Sequence, residues 1–244
     1  MKHLNITKNT EQKDKHQYRF YVLLFATYSM LSCLTIVAGS RILPFPIPYD
    51  SSMTVFGGTF VLPLMFSLQD IVTEVYGYEK TIRMIKWGLV NVIFFIGFME
   101  VIIHLPAPAN SYHDSAYKTV FSPLWRHVLA LTVGLFVGGK LNSFLLDKWK
   151  KMLKGRKLWA RLLGSSAIGE ITLQLIVSCI GWIGTLSFSS AILPYVLISY
   201  FIKLFFTTLT VPAIYMITHW LKREEQTGSN YDVFDKEKLL KVVK

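Results

Sequence analysis

The sequence predicts an all-α polytopic membrane protein with six transmembrane helices and both the N-terminus and the C-terminus cytoplasmic. Three observations carry that expectation: an apolar composition, six long apolar runs, and basic residues gathered on one side of them. The 244 residues are 52% hydrophobic and 14% aromatic, with a mean hydropathy of +0.40, more apolar than a domain whose surface must face water. Crossing roughly 30 Å of hydrocarbon takes about 20 helical residues at about 1.5 Å each. Residues 20–40, 54–76, 84–103, 124–146, 162–186 and 192–220 meet that requirement. One membrane domain, 20–220, is thus expected between a polar tail at 1–19 and a second at 221–244.

The first run follows a tail of mixed charge and shows no small-residue cleavage site, so it reads as a membrane helix and not a removable signal. The second is apolar only as far as Leu68 and fills the rest of its length with Gln69, Asp70, Thr73 and Glu74. The third carries Glu100 near its outer end, where a long side chain can reach the interface. After it, HLPAPANSYHDSAYKTVFSP predicts a short interfacial helix between Pro-marked turns. His104 and His113 in that segment are too isolated to point to a metal.

The fourth run contains GLFVGGK at 134–140, the G-x-x-x-x-G-K of a phosphate-binding loop, but Leu141 stands where Ser or Thr is needed and no strand precedes it. Backbone amides committed to a helix cannot cradle phosphate, so Gly134 and Gly138 read as a small-residue helix contact. The fifth run holds Glu170 and Gln174, and the sixth Lys203. Cys33 and Cys179 lie inside apolar runs and read as core residues, with no disulfide framework or zinc spacing. The absence of G-x-S-x-G and H-E-x-x-H argues against a hydrolase, and no cofactor or metal is expected.

The net charge of +11 is explained by topology. The N-terminal tail, the second and fourth connections and the C-terminal tail together hold 21 Lys and Arg, against Arg41, Lys118 and Arg126 on the other side. By the positive-inside rule both termini face the cytoplasm of a bacterial cell inner membrane, and nucleic acid is not needed as a partner.

A charge at the centre of a bilayer costs about 2.5–3.5 kcal/mol on insertion scales, so charges kept there usually have a task. Asp70 and Glu74 are four apart and share a helix face, and Glu170 and Gln174 repeat that spacing. Convergence on one polar cavity is expected, with Lys203 and Lys140 as counter-charges; the alternative is a buried ion-pair network that only orients helices. IVAGSRIL at 36–43 and FVGGKLN at 136–142 each place a cation, Arg41 or Lys140, after small residues. With the acid-bearing spans three apart, that echo suits inverted 3+3 repeats.

At the second span, FVLPLMFSLQDIVTEVYGYEKTIRMI closely resembles the signature of the queuosine precursor transporter family, also called the VUT family. Pro63, Asp70, Glu74, Tyr76, Gly77, Lys80 and Arg83 carry the likeness. It continues through GSSAIGE at 164–170 and the 200–203 stretch, covering roughly 41–220. Gln69 stands where the family usually has Thr, Ile36 about where it has Asn, and Leu173 where an Asp is frequent. The resemblance implies a transporter, not an enzyme, that imports 7-deazaguanine precursors of queuosine for salvage into transfer RNA. Its implied substrate site comprises Asp70, Glu74, Glu170, Gln174 and Lys203, supported by Lys140, Arg41 and Tyr76. Expected partners are the lipid bilayer, a purine-like substrate and, as a possible assembly, a homo-oligomer. The alternative is the substrate-binding membrane subunit of an energy-coupling-factor transporter.

Overall fold

A computed structural model describes residues 20–44, 54–108, 113–121, 124–182 and 193–225. Among these residues there are seven helices and one two-stranded hairpin: α1 (Tyr21–Gly39), β1 (Ile42–Pro44), β2 (Thr54–Phe56), α2 (Gly58–Tyr76), α3 (Tyr78–His104), α4 (Asp114–Phe121), α5 (Leu124–Met152), α6 (Leu158–Trp182) and α7 (Leu193–Glu224). The tails at 1–19 and 226–244 lie outside the described residues.

The protein is mostly helical, with five helices, α1, α3, α5, α6 and α7, long and apolar enough to cross a membrane. Their outward faces carry large apolar side chains such as Leu23, Phe94, Phe201, Leu209 and Met216, while Gln69, Asp70, Asn142, Ser166, Glu170 and Lys203 are buried. That inversion of the usual soluble pattern suits a solvent of lipid, in which polar groups must be satisfied inside the bundle. It is an all-α membrane protein.

The helix that hydropathy alone passes over, α2, is the most enclosed: fifteen of its nineteen residues are buried. It packs against α1, α3, α5 and α7, so its polar half meets protein and not lipid. Gly77, at φ 87°, breaks the chain between α2 and α3 in one residue, a left-handed conformation that a Cβ penalises. The turn is held by Gly77 N–H donating to Thr73 O at 3.1 Å and by the Thr73 and Thr81 hydroxyls at 2.9 Å.

The most extensive helix pair is α5 with α6. A Cβ on Gly138 would stand 2.6 Å from Gly169 O, and one on Gly134 2.8 Å from Val177 Cγ2. The two backbones therefore approach as closely as hydrogen side chains allow, in line with the expected small-residue contact.

Several elements differ from the sequence expectation: α3 starts at Tyr78 and not at 84, α5 runs on to Met152 past 146, and α6 spans Leu158–Trp182 where 162–186 was expected. Residues 54–56 do not open the second helix but pair antiparallel with β1, Ile42 opposite Phe56, and the helix begins at Gly58. Helix α7 does not end at Trp220 but at Glu224, because Lys222 reaches Glu74 and Glu225 Oε1 accepts from Phe20 N–H at 2.8 Å. The short helix expected after the third span is present as α4, although 109–112 and 122–123 lie outside the described residues. The expected inverted 3+3 relation is not reproduced in the packing: α2 touches four helices extensively, whereas its counterpart α6 does so only with α5 and α7.

Candidate functional site

At the end of the bundle where α2 begins, a cavity of about 470 Å³ opens between the helices, within the range of small-molecule pockets. Ile42 and Phe56 of the hairpin and Thr119 and Val120 of α4 form its mouth. Its walls are largely apolar, from Ile36, Leu62, Val128, Leu131, Leu173 and Val177. Lys203 is the one charged side chain lining it among the described residues, with Gln174 beside it. Pro63, which has no N–H, cannot donate to the carbonyl of Thr59, another lining residue.

The polar groups beneath the cavity form successive layers, because α2, α6 and α7 each place polar residues at steps of about four and so along one face. In the first layer Lys203 Nζ donates to Gln174 Oε1. One turn deeper on the antiparallel pair α6 and α7, Thr207 Oγ1 donates to Glu170 Oε1 at 2.5 Å. Glu170 is 1% exposed, lies within electrostatic reach of Lys203, and its Oε2 has no hydrogen-bond partner among the described residues.

The second layer is centred on Asp70, eight residues beyond Leu62 and therefore about 12 Å below the cavity at ~1.5 Å per residue. Asn142 Nδ2 donates to its Oδ1 at 2.8 Å and Ser166 Oγ to its Oδ2 at 2.9 Å. The glycine crossing of α5 and α6 makes this possible: a Cβ on Gly169 would lie 2.7 Å from Asn142 Cβ. Next to Asp70, Gln69 Nε2 donates to Tyr28 OH at 3.0 Å.

The third layer surrounds Glu74 at the far end. Arg161 Nη1 donates to Glu74 Oε2 at 2.8 Å, Lys222 Nζ to Oε1 at 2.8 Å, and Lys150 Nζ lies 3.5 Å from Oε1 while donating to Glu74 O at 2.8 Å. One carboxylate thereby ties α2 to α5, α6 and α7. The loop after α5, with Lys154, Gly155 and Lys157 all at positive φ, turns the carbonyls of Gly155 and Arg156 onto the Arg161 guanidinium.

Residues 56–217, most of the chain and the whole of α2 to the greater part of α7, match the family described as "Putative vitamin uptake transporter". The chain belongs to that family, VUT. Comparisons with curated proteins and with solved structures give no match. The resemblance in the second span is thus family membership, and transport is the activity the family supports.

In this VUT protein the residues expected to share one cavity are divided. The structure brings Glu170, Gln174 and Lys203 together at the cavity and adds Thr207. Asp70 sits a layer below, and Glu74 belongs to the ion-pair network that was the alternative reading for such charges. Lys140 is not a counter-charge to the acids: it is exposed on α5 with its Nζ 5.8 Å from the Phe136 ring centroid. Its place, two residues before Asn142, turns it away because neighbouring positions on a helix face different ways. Arg41 is exposed, and its backbone O accepts from Gly57 N–H at 2.9 Å, closing the hairpin at the cavity mouth. Tyr76 stacks edge-on against Tyr21 at 5.4 Å, near the Glu74 end and away from the cavity.

Asn142, Ser166, Thr207, Arg161, Lys150 and Lys222 were not expected as partners of the acids. Their signal was present as a period: Arg161, Ser165, Ser166, Glu170, Gln174 and Ser178 fall on one buried face of α6, and on α7 Ser199, Lys203 and Thr207 recur by fours, with Thr218 and Lys222 four apart three turns further on.

Proposed function

We propose that this protein imports 7-deazaguanine precursors of queuosine, such as 7-cyano- or 7-aminomethyl-7-deazaguanine, across the bacterial inner membrane for transfer RNA salvage. The observation that carries this reading is the cluster of Gln174 and Lys203 in the wall of a largely apolar cavity with Glu170 and Thr207 one turn below. A deazaguanine has two flat apolar faces suited to such walls. On one edge it presents a ring N–H and an exocyclic amine side by side, donors that a carboxylate accepts together, and beside them a carbonyl that an ammonium can meet. Glu170, with its Oε2 unpartnered, suits the donor edge, and Lys203 suits the carbonyl.

In this reading α2 counts as a sixth span with the five apolar helices, both termini are cytoplasmic as the distribution of Lys and Arg requires, and the cavity opens outward. The Glu74 network then closes the inner end, about 18 Å from Leu62 along α2 at ~1.5 Å per residue. The test is the queuosine content of transfer RNA in a bacterial strain lacking precursor synthesis and its own importer, given this gene and trace precursor. Recovery of the modified nucleoside is expected. No recovery despite expression in the membrane would refute the substrate assignment.

A second reading takes up the vitamin of the family description and makes the chain a substrate-binding membrane subunit that works with a separate ATPase. Purified protein that transports alone in liposomes excludes that reading.

A further inference from the structure

We propose that Asp70 is a proton-binding site that couples transport to the proton gradient, separate from the substrate cavity. The inference rests on the reading that the chain is a transporter, but not on the identity of its cargo. Asp70 is wholly buried in the middle layer of the bundle. Its two oxygens accept from Asn142 Nδ2 and Ser166 Oγ, both neutral donors, and among the described residues it forms no ion pair.

The groups that surround it offer no compensation. From α1 Tyr28 bonds the neighbouring Gln69, and from α3 Thr81 bonds Thr73. From α6 and from α2 itself the charged groups in reach are Glu170 and Glu74, both negative. The cations of the bundle's polar layers are engaged elsewhere: Arg161, Lys150 and Lys222 on Glu74, and Lys203 on Gln174. An ionised carboxylate withdrawn from water without a counter-charge is strongly disfavoured, so a cation must join it.

The ligands identify that cation as a proton. Protonation at Oδ2 forms one O–H bond and needs one acceptor, and Ser166 Oγ, the present donor, becomes that acceptor by rotating its own hydrogen away. Asn142 Nδ2 continues to donate to Oδ1, so the site holds either protonation state without moving a helix. A metal ion would need several oxygens turned inward, whereas the amide already presents its nitrogen. A second observation points the same way. Among the described residues Asn142 Oδ1 is buried and has no hydrogen-bond partner, an acceptor suited to a water that carries the proton to or from Asp70.

The test uses the full chain in liposomes. Infrared difference spectra between acid and alkaline pH should show a protonated-carboxyl C=O band that Asp70→Asn abolishes and Asn142→Leu shifts in frequency. A spectrum unchanged by Asp70→Asn overturns the proposal, whatever the cargo. In parallel, uptake of 7-cyano-7-deazaguanine is followed with an imposed pH gradient and with sodium replaced by choline. Wild-type protein should accumulate the probe above its external concentration, and Asp70→Asn should exchange it only to equal concentrations. Accumulation that needs sodium, or that survives in Asp70→Asn, overturns the proposal. Failure of the wild type to move the probe refutes the substrate reading and leaves the infrared result to decide this one.

Discussion

Arg161 and Glu74, 87 positions apart in the chain, meet as a buried ion pair at 2.8 and 3.5 Å, with side chains only 1% and 2% exposed. Arg161 would be costly to bury alone, and so would Glu74. Breaking a buried pair by removing one partner typically costs about 3–5 kcal/mol. Glu74→Gln, which leaves three cations facing a neutral amide, should lower the thermal stability of the purified protein by an amount of that order. Replacing Glu74 and Arg161 together by Met should cost less than the two single changes summed. Thermal unfolding in detergent, followed by size-exclusion chromatography, checks both.

Glu170→Gln and Lys203→Met should each abolish uptake while the protein still reaches the membrane. Their positions make a distinction possible. Lys203 lines the cavity and Glu170 lies one turn below it, so blocking the mouth with a bulky Thr119→Trp should also reduce uptake without disturbing either residue. Uptake assays alongside membrane immunoblots measure these effects, and full activity in Glu170→Gln would remove it from the site.

Gly138→Ala should destabilise the protein by about 1–3 kcal/mol, the usual cost of overpacking, because its Cβ would stand 2.6 Å from a backbone carbonyl that cannot give way. Gly97→Ala, where nothing lies within 4 Å, should be neutral or slightly stabilising. The pair of melting temperatures separates helix contact from a general effect of losing glycine.

Gly77→Ala meets no steric neighbour, so any loss reflects backbone strain alone. At φ 87° and ψ 168° that strain is about 1–3 kcal/mol. A melting temperature equal to wild type would show that the α2–α3 turn relaxes into another conformation.

Orientation can be read by labelling. With Cys33 and Cys179 changed to Ser, Val120→Cys at the cavity mouth should react with a membrane-impermeant maleimide in intact cells. Trp159→Cys, exposed at the start of α6, should react only after permeabilisation. The reverse pattern would invert the topology.

The spans were legible because apolar length is a property of consecutive residues and needs no knowledge of neighbours. The family was legible for a similar reason, since Asp70, Glu74, Tyr76 and Gly77 lie within one short stretch. Pairing was less so. Asp70 and Glu74 sit on one face and invite the inference of one site, yet one turn of helix is enough to give them different company: a hydroxyl and an amide for the first, three cations for the second. Lys140 and Asn142 show the converse, because two positions on α5 separate the exposed face from the one that meets Asp70. Which partner each acid finds depends on how α5 and α6 cross, and that crossing is fixed by Gly138 and Gly169 at a distance in sequence.

The enclosure of α2 bears on how the chain is assembled. A segment holding Gln69, Asp70, Thr73 and Glu74 cannot reside stably among lipid tails by itself, so its arrival in the bilayer and its shielding by later helices are coupled events. Arg161 and Lys222, which neutralise its polar end, are made long after Glu74 leaves the ribosome. During synthesis the first three helices must therefore wait in an unfinished state, and the closing of the bundle around α2 marks the moment at which the protein becomes a membrane resident in full.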